Sequence, residues 1–120
     1  MPPPGVIAVV DDDASIRMAL SSLLRSAGYR VWLFESGEAL LAACAQEWPD
    51  CIITDIQMPG MSGLELMERL AGGPCPPVIV ITAFPEPALR QRALQLGACA
   101  FLSKPFDAAN LLRQLELAGA

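Results

Sequence analysis

A chain of 120 residues is one domain by length, with enough apolar material (53% of residues) to bury a substantial core. A net charge of −5 argues against nucleic-acid binding by this domain itself, because phosphate neutralisation needs a basic face. The complete absence of histidine removes histidine-based catalysis and most zinc sites.

The first apolar run, Val6 to Val10, is continuous and rich in β-branched residues, the pattern of a strand covered on both faces. Ile16, Leu20, Leu23, Leu24 and Ala27 then recur at helical spacing, and Gly28 closes that helix. A second strand spans Arg30 to Phe34. It precedes a helix capped by Ser36, with Glu38 at its positive end, an inner face of Leu40, Ala43 and Cys44, and a stop at Trp48-Pro49.

The third strand runs from Cys51 to Asp55. A loop from Ile56 to Met61 leads into a helix from about Ser62 carrying Leu66, Met67 and Leu70 and ended by Gly72-Gly73-Pro74. Val78 to Thr82 is the fourth strand, followed by a helix striped with Leu89, Ala93 and Leu96 and closed by Gly97. A short fifth strand near Ala100 to Ser103 precedes Pro105 and a last helix, capped by Asp107, with Leu111, Leu112, Leu115 and Ala118 on its apolar face. Five strand–helix units with short connections imply a parallel sheet with helices on both faces.

No apolar run approaches a membrane span, and Met1-Pro-Pro-Pro-Gly5 lacks the charged and apolar regions of a signal peptide, so a cytoplasmic location is expected. Cys44, Cys51, Cys75 and Cys99 show no C-x-x-C spacing and are expected to be small buried hydrophobes. Residues 1–120 are expected to form one domain with no linker to a second.

In a parallel sheet the C-terminal ends of all strands share one edge, where open α/β sheets bind ligands. Here that edge carries Asp11-Asp12-Asp13, Asp55, Thr82 and Ser103-Lys104-Pro105. Each has an ordinary reading alone: a solvated turn, a loop residue, a strand threonine, a surface lysine. Together they differ. Clustered carboxylates resist joint ionisation unless a cation lies among them, and Mg²⁺ with oxygen ligands and phosphate oxygens answers that need. A lysine adds a point charge for an anion, and a hydroxyl adds a hydrogen bond. The set reads as a phosphoryl-transfer site in which a carboxylate is the nucleophile.

Four segments carry a resemblance: Val9-Val-Asp-Asp-Asp-Ala-Ser-Ile-Arg17, Thr54-Asp-Ile-Gln-Met-Pro-Gly-Met-Ser-Gly63, Val80-Ile-Thr-Ala83 and Phe101-Leu-Ser-Lys-Pro-Phe106. In order and spacing, over roughly residues 5–118, the chain resembles bacterial two-component receiver domains. Trp32 to Leu40 together with Met58 to Gly63 look closest to the nitrogen-fixation regulators, whose members usually carry a C-terminal LuxR-type helix-turn-helix domain.

The resemblance implies a flavodoxin-like, doubly wound (βα)5 fold with strand order 2-1-3-4-5. It implies phosphorylation of Asp55 by a sensor histidine kinase, with Mg²⁺ (or Mn²⁺) held by Asp11, Asp12, Asp55 and the backbone carbonyl of Gln57. Asp12 is the expected direct ligand, with Asp11 acting largely through water. Thr82 and Lys104 are expected to meet the phosphoryl group, Phe101 to turn inward after Thr82, and the bond before Pro105 to be cis. Gln57 and Phe84 lie where the family tunes hydrolysis, and Phe84 is expected to screen Asp55 from water. Pro85 and Pro87 should stiffen the loop after Thr82. Asp13 is read as an added charge or helix N-terminal residue, not a ligand.

The implied role is a phosphoacceptor switch, not an enzyme with an external substrate. It would catalyse only its own phosphorylation and dephosphorylation, and its output would be a phosphorylation-dependent homodimer or an attached DNA-binding domain controlling transcription. A stand-alone receiver acting through protein contacts or a phosphorelay is the alternative. A flavodoxin-type carrier would need a glycine- and hydroxyl-rich phosphate loop where three aspartates stand. A haloacid-dehalogenase-type phosphatase would need an acid at Gln57.

Overall fold

The computed structural model describes residues 5–71, 73 and 75–119. The strands β1 (Val6–Val10), β2 (Arg30–Phe34), β3 (Cys51–Thr54), β4 (Val78–Thr82) and β5 (Ala98–Ser103) form one parallel sheet in the order β2-β1-β3-β4-β5. The sheet places β1 and β3 side by side at its centre, which brings Asp11 and Asp55 to adjacent strand ends.

Side-chain alternation along the strands builds two cores. Ala8, Val10, Ile52, Val78 and Val80 face Leu40 and Cys44 of α2 (Gly37–Cys44), Leu66, Met67 and Leu70 of α3 (Gly63–Leu70), and Ala93 of α4 (Pro87–Gln95). On the opposite face Ile7, Val9, Ile53, Ile79 and Ile81 meet Leu20 and Leu24 of α1 (Ala14–Ser26) and Leu111 and Leu115 of α5 (Ala108–Leu117). Each fully buried Leu or Ile side chain contributes about 1.5–3 kcal/mol, so the two layers fix the strand register on which the edge site depends. The strands β1, β3 and β4 are buried throughout, whereas β2 is a half-exposed edge.

Helix starts follow their caps. Asp13, Ser36, Ser62 and Asp107 each accept a backbone N–H from the first turn of α1, α2, α3 and α5, and Ser62 with Glu65 makes a reciprocal capping box. Glu86 makes no such bond; α4 instead opens on Pro87, whose fixed φ suits a first helical position. Gly28, with φ of +95°, turns the chain out of α1. No helix among the described residues is long and apolar enough to cross a membrane.

The structure corrects several sequence expectations. Helix α2 ends at Cys44 with its cap at Ala45, short of Trp48-Pro49. Its chain must become extended so that the Asp50 carboxylate can accept the Val6 N–H at 2.7 Å, and a residue before proline disfavours the helical region. The glycine and proline expected to end α3, Gly72 and Pro74, lie outside the described residues. Ala27 is exposed, and Ser21 takes the buried place on α1, its hydroxyl accepting from Arg25 Nε at 3.1 Å.

Strand β5 starts at Ala98, two residues early, because its register with β4 shifts between Val78 and Ile79 and spreads Ala98 to Ala100 over those two positions. Cys99 falls in that shift and is exposed, as is Cys75 in the loop before β4; only Cys44 and Cys51 are buried. Burial pushes the Cys51 thiol up to about 12. A thiol-disulfide reagent at pH 8 is therefore expected to modify Cys75 and Cys99 in the native protein, and Cys44 and Cys51 only after denaturation. Peptide mapping of the modified protein checks this.

Candidate functional site

The edge formed by the C-terminal ends of the strands is held by the ladder itself. Asp11 extends β1, its N–H donating to the Phe34 carbonyl at 3.1 Å, and the Asp55 N–H donates to the Val10 carbonyl at 3.0 Å. The Lys104 N–H donates to the Thr82 carbonyl at 2.8 Å, which ties the end of β5 to β4. Asp11, Asp55 and Thr82 are buried, at 2%, 6% and 0% exposure, so three polar groups form a buried floor at strand ends where apolar side chains are usual.

Lys104 crosses this floor. Its Nζ donates to Asp11 Oδ2 at 2.9 Å and to Asp55 Oδ2 at 3.0 Å, across sequence separations that only the fold closes. Asp13 N–H donates to Asp11 Oδ1 at 2.9 Å, and Gln57 N–H to Asp55 Oδ1 at 3.2 Å, so each buried carboxylate is bonded on both oxygens. Asp12 is exposed at the mouth, and carboxylate oxygens of Asp11, Asp12 and Asp55 lie within 4.8 Å of one another. Asp13 is excluded from the cluster. Its side chain caps α1 by accepting the Ser15 N–H at 2.8 Å, the helix N-terminal role.

The charges do not cancel. Three carboxylates and one ammonium leave two negative charges in a partly buried cluster. Burial raises the Asp11 carboxyl above its ordinary value, and the Asp55 charge adds to this. The hydrogen bonds from Lys104 and Asp13 offset only part. Burial alone would lower the Lys104 ammonium, but its bonds to Asp11 and Asp55 outweigh that and leave it raised. The donor set is all hard oxygen, with one exposed carboxylate at the opening, and it fits a small divalent cation.

The remaining expected residues stand on β4, on β5 and on the loops that follow β3, β4 and β5. Thr82 Oγ accepts the Phe84 N–H at 3.1 Å, and the Glu86 N–H returns to the Phe84 carbonyl at 2.8 Å, so the loop through Pro85 folds tightly back. Phe84 itself is 59% exposed. Phe101 is half-buried against the α2–α3–α4 core layer, opposite Val80 on β4. Gln57 is exposed, and its contact with Asp55 is through the backbone N–H. The Lys104–Pro105 bond is cis.

Two residues of this region were not singled out from the sequence. A Cβ on Gly63 would collide with the Asp55 carbonyl oxygen, so only glycine lets the start of α3 pass beneath the end of β3. The signal was present: glycine is a poor residue inside a helix, costing about 1 kcal/mol against alanine, and its place just after the Ser62 cap called for a reason. Arg17 Nη1 donates to the Asp11 carbonyl at 2.6 Å, a contact that no spacing rule announces.

Because the folded Asp11 carboxyl is raised, the folded state binds the proton more readily than the unfolded chain does. Asp11 therefore lowers stability as pH rises through its folded value and penalises the fold at neutral pH. In EDTA, Asp11→Asn is expected to be more stable than the parent at pH 7, with the advantage shrinking as pH falls towards the ordinary carboxylate value of 3.8; urea unfolding across pH checks this.

Comparison with known proteins agrees with this geometry. Residues 7–116 match the family described as "Response regulator receiver domain". The chain is 39% identical over 115 residues to the transcriptional regulatory protein FixJ of Bradyrhizobium diazoefficiens, covering 95% of this chain and 56% of that protein. It is 42% identical over 115 residues to the DNA-binding transcriptional regulator NtrC of Salmonella typhimurium, covering 95% of this chain and 24% of that one. It thus spans about half of the first relative and a quarter of the second. The chemotaxis response regulator CheY4 of Vibrio cholerae superposes with a TM-score of 0.87 at 31% identity, covering 96% of this chain and 98% of that chain. Sheet order, edge chemistry and relatives agree: the chain belongs to the response-regulator receiver domain family.

Proposed function

We propose that Asp55 accepts a phosphoryl group from the phosphohistidine of a sensor histidine kinase, or from a small donor such as acetyl phosphate, and that this switches the domain's surface. The observation that carries the reading is the Lys104 ammonium bonded at once to Asp11 and Asp55, inside a cluster that still holds two uncompensated negative charges.

An Asp55 carboxylate oxygen attacks phosphorus in line. The new O–P bond forms as the donor's P–O or P–N bond breaks, and the donor leaves with that electron pair. Lys104 transfers a hydrogen bond from Asp55 Oδ2 to a phosphoryl oxygen. Asp11, Asp12, Asp55 and the Gln57 carbonyl would hold Mg²⁺, with Mn²⁺ as the alternative ion, and its two charges would neutralise the transferred oxygens.

Thr82 Oγ, already accepting from Phe84, retains its proton to donate to the phosphoryl group. Its movement drags the Phe84 loop and frees space that the half-buried Phe101 ring can enter, which shifts a two-state equilibrium. The same site would return the phosphoryl group to water, with Phe84 at the mouth slowing that loss. The greater length of relatives named as transcriptional regulators supports an attached output domain as the recipient of the signal; the helix-turn-helix type of that domain and a phosphorylation-dependent homodimer are further parts of the proposal.

Acetyl phosphate with Mg²⁺ should label the wild type, EDTA should slow labelling by about a hundredfold, and Asp55→Asn should abolish it without loss of fold. Label surviving Asp55→Asn in intact-mass spectra would exclude Asp55 as the acceptor. In the same assay Phe84→Ala should shorten the lifetime of the label; an unchanged lifetime removes the screening role.

A further inference from the structure

The residue that presents the exposed carboxylate, Asp12, sits between two fixed neighbours. Behind it, the Asp11 carbonyl accepts from Arg17 Nη1 at 2.6 Å. Ahead of it, the Asp13 N–H is held by Asp11 Oδ1 at 2.9 Å, and the Asp13 side chain is committed to capping α1. Arg17 is itself anchored one turn into α1, its N–H donating to the Asp13 carbonyl at 3.1 Å. Both peptides flanking Asp12 are therefore clamped, while among the described residues its own carboxylate has no hydrogen bond or ion pair. A short charge-assisted bond at this point is a larger restraint than the turn needs, since the Asp13 cap already starts the helix.

We infer that Arg17 is a positioning residue for the divalent cation. By fixing the Asp11–Asp12 peptide it holds the Asp12 carboxylate ready, so that no ordering of the strand end accompanies ion binding. The inference rests on the cation site proposed above. It has a distinctive sign. As a positive charge near that site, Arg17 would by Coulomb's law weaken cation binding, whereas as a clamp it strengthens it.

The test is calorimetric titration of Mg²⁺ into the metal-stripped 120-residue chain as wild type, Arg17→Lys and Arg17→Met. Arg17→Met keeps an unbranched stem but is shorter than arginine, lacks its charge and cannot donate. The clamp gives affinity in the order wild type, Arg17→Lys, Arg17→Met, with the last about tenfold weaker than the first. Charge alone leaves Arg17→Lys equal to wild type and makes Arg17→Met the tightest.

In acetyl phosphate labelling, the Mg²⁺ concentration for half-maximal rate should rise by the same factor in Arg17→Met, while the rate at saturating Mg²⁺ stays within about twofold, a split that general destabilisation does not produce. Unchanged or tighter binding by Arg17→Met overturns the role of Arg17 and leaves the cation site standing. Wild type that binds no Mg²⁺ at millimolar concentrations overturns the site itself. If Arg17→Met does not fold, Arg17→Gln, which is neutral and too short to reach the carbonyl, carries the same comparison.

Discussion

The molecule is organised around a repulsion it does not fully relieve. Two buried carboxylates within 4.8 Å, Asp11 and Asp55, repel each other, on top of the larger cost of burying the Asp11 charge. The third, Asp12, adds to the same field. Lys104 joins the two buried acids but supplies one positive charge against three negative ones. What brings these groups together is remote from them: the β1–β3 register sets the two acids side by side, and β5 delivers the lysine from the other end of the chain.

That arrangement makes ligand binding and folding draw on the same contacts. The two apolar layers supply the stability against which the acid cluster is held, and the same layers leave the strand ends in fixed positions. Hydrogen bonds then complete the aim of each group. Asp11 and Asp55 have both carboxylate oxygens occupied, Thr82 Oγ is tied to the Phe84 N–H, and Arg17 grips the carbonyl before Asp12. Among the described residues no buried side-chain nitrogen or oxygen lacks a partner, so the strain at this edge is electrostatic and not one of missing hydrogen bonds. A cation or a phosphoryl group would change that balance directly, and the Phe84 N–H bonded to Thr82 Oγ ties the next loop to the same edge.

Much of this was legible in the sequence because the strongest signals are local. The run Val6 to Val10, the caps Ser36 and Asp107, and the acids closing β1 and β3 are read without knowing what faces them. What stayed hidden depends on distant partners. The early end of α2 follows from Asp50 reaching Val6, and the exposure of Cys99 from a register shift against β4; neither is written in the residues beside it. Gly63 is intermediate, since its conformational cost was visible but its reason, the Asp55 carbonyl beneath it, was not. The Arg17 contact crosses six residues, a span that fits an ordinary surface arginine on a helix equally well.

If the folded acid cluster is a divalent-cation site, an ion bound there relieves its repulsion. Urea unfolding of wild type and Asp12→Asn, each in EDTA and in saturating Mg²⁺, tests it most directly, because an ion that binds only the folded chain raises its stability by about 2.7 kcal/mol at a hundredfold excess over Kd. A Mg²⁺-dependent rise in the wild-type midpoint, largely lost in Asp12→Asn, is expected. A wild-type midpoint that does not move with Mg²⁺, or a rise equal in both proteins, would contradict it.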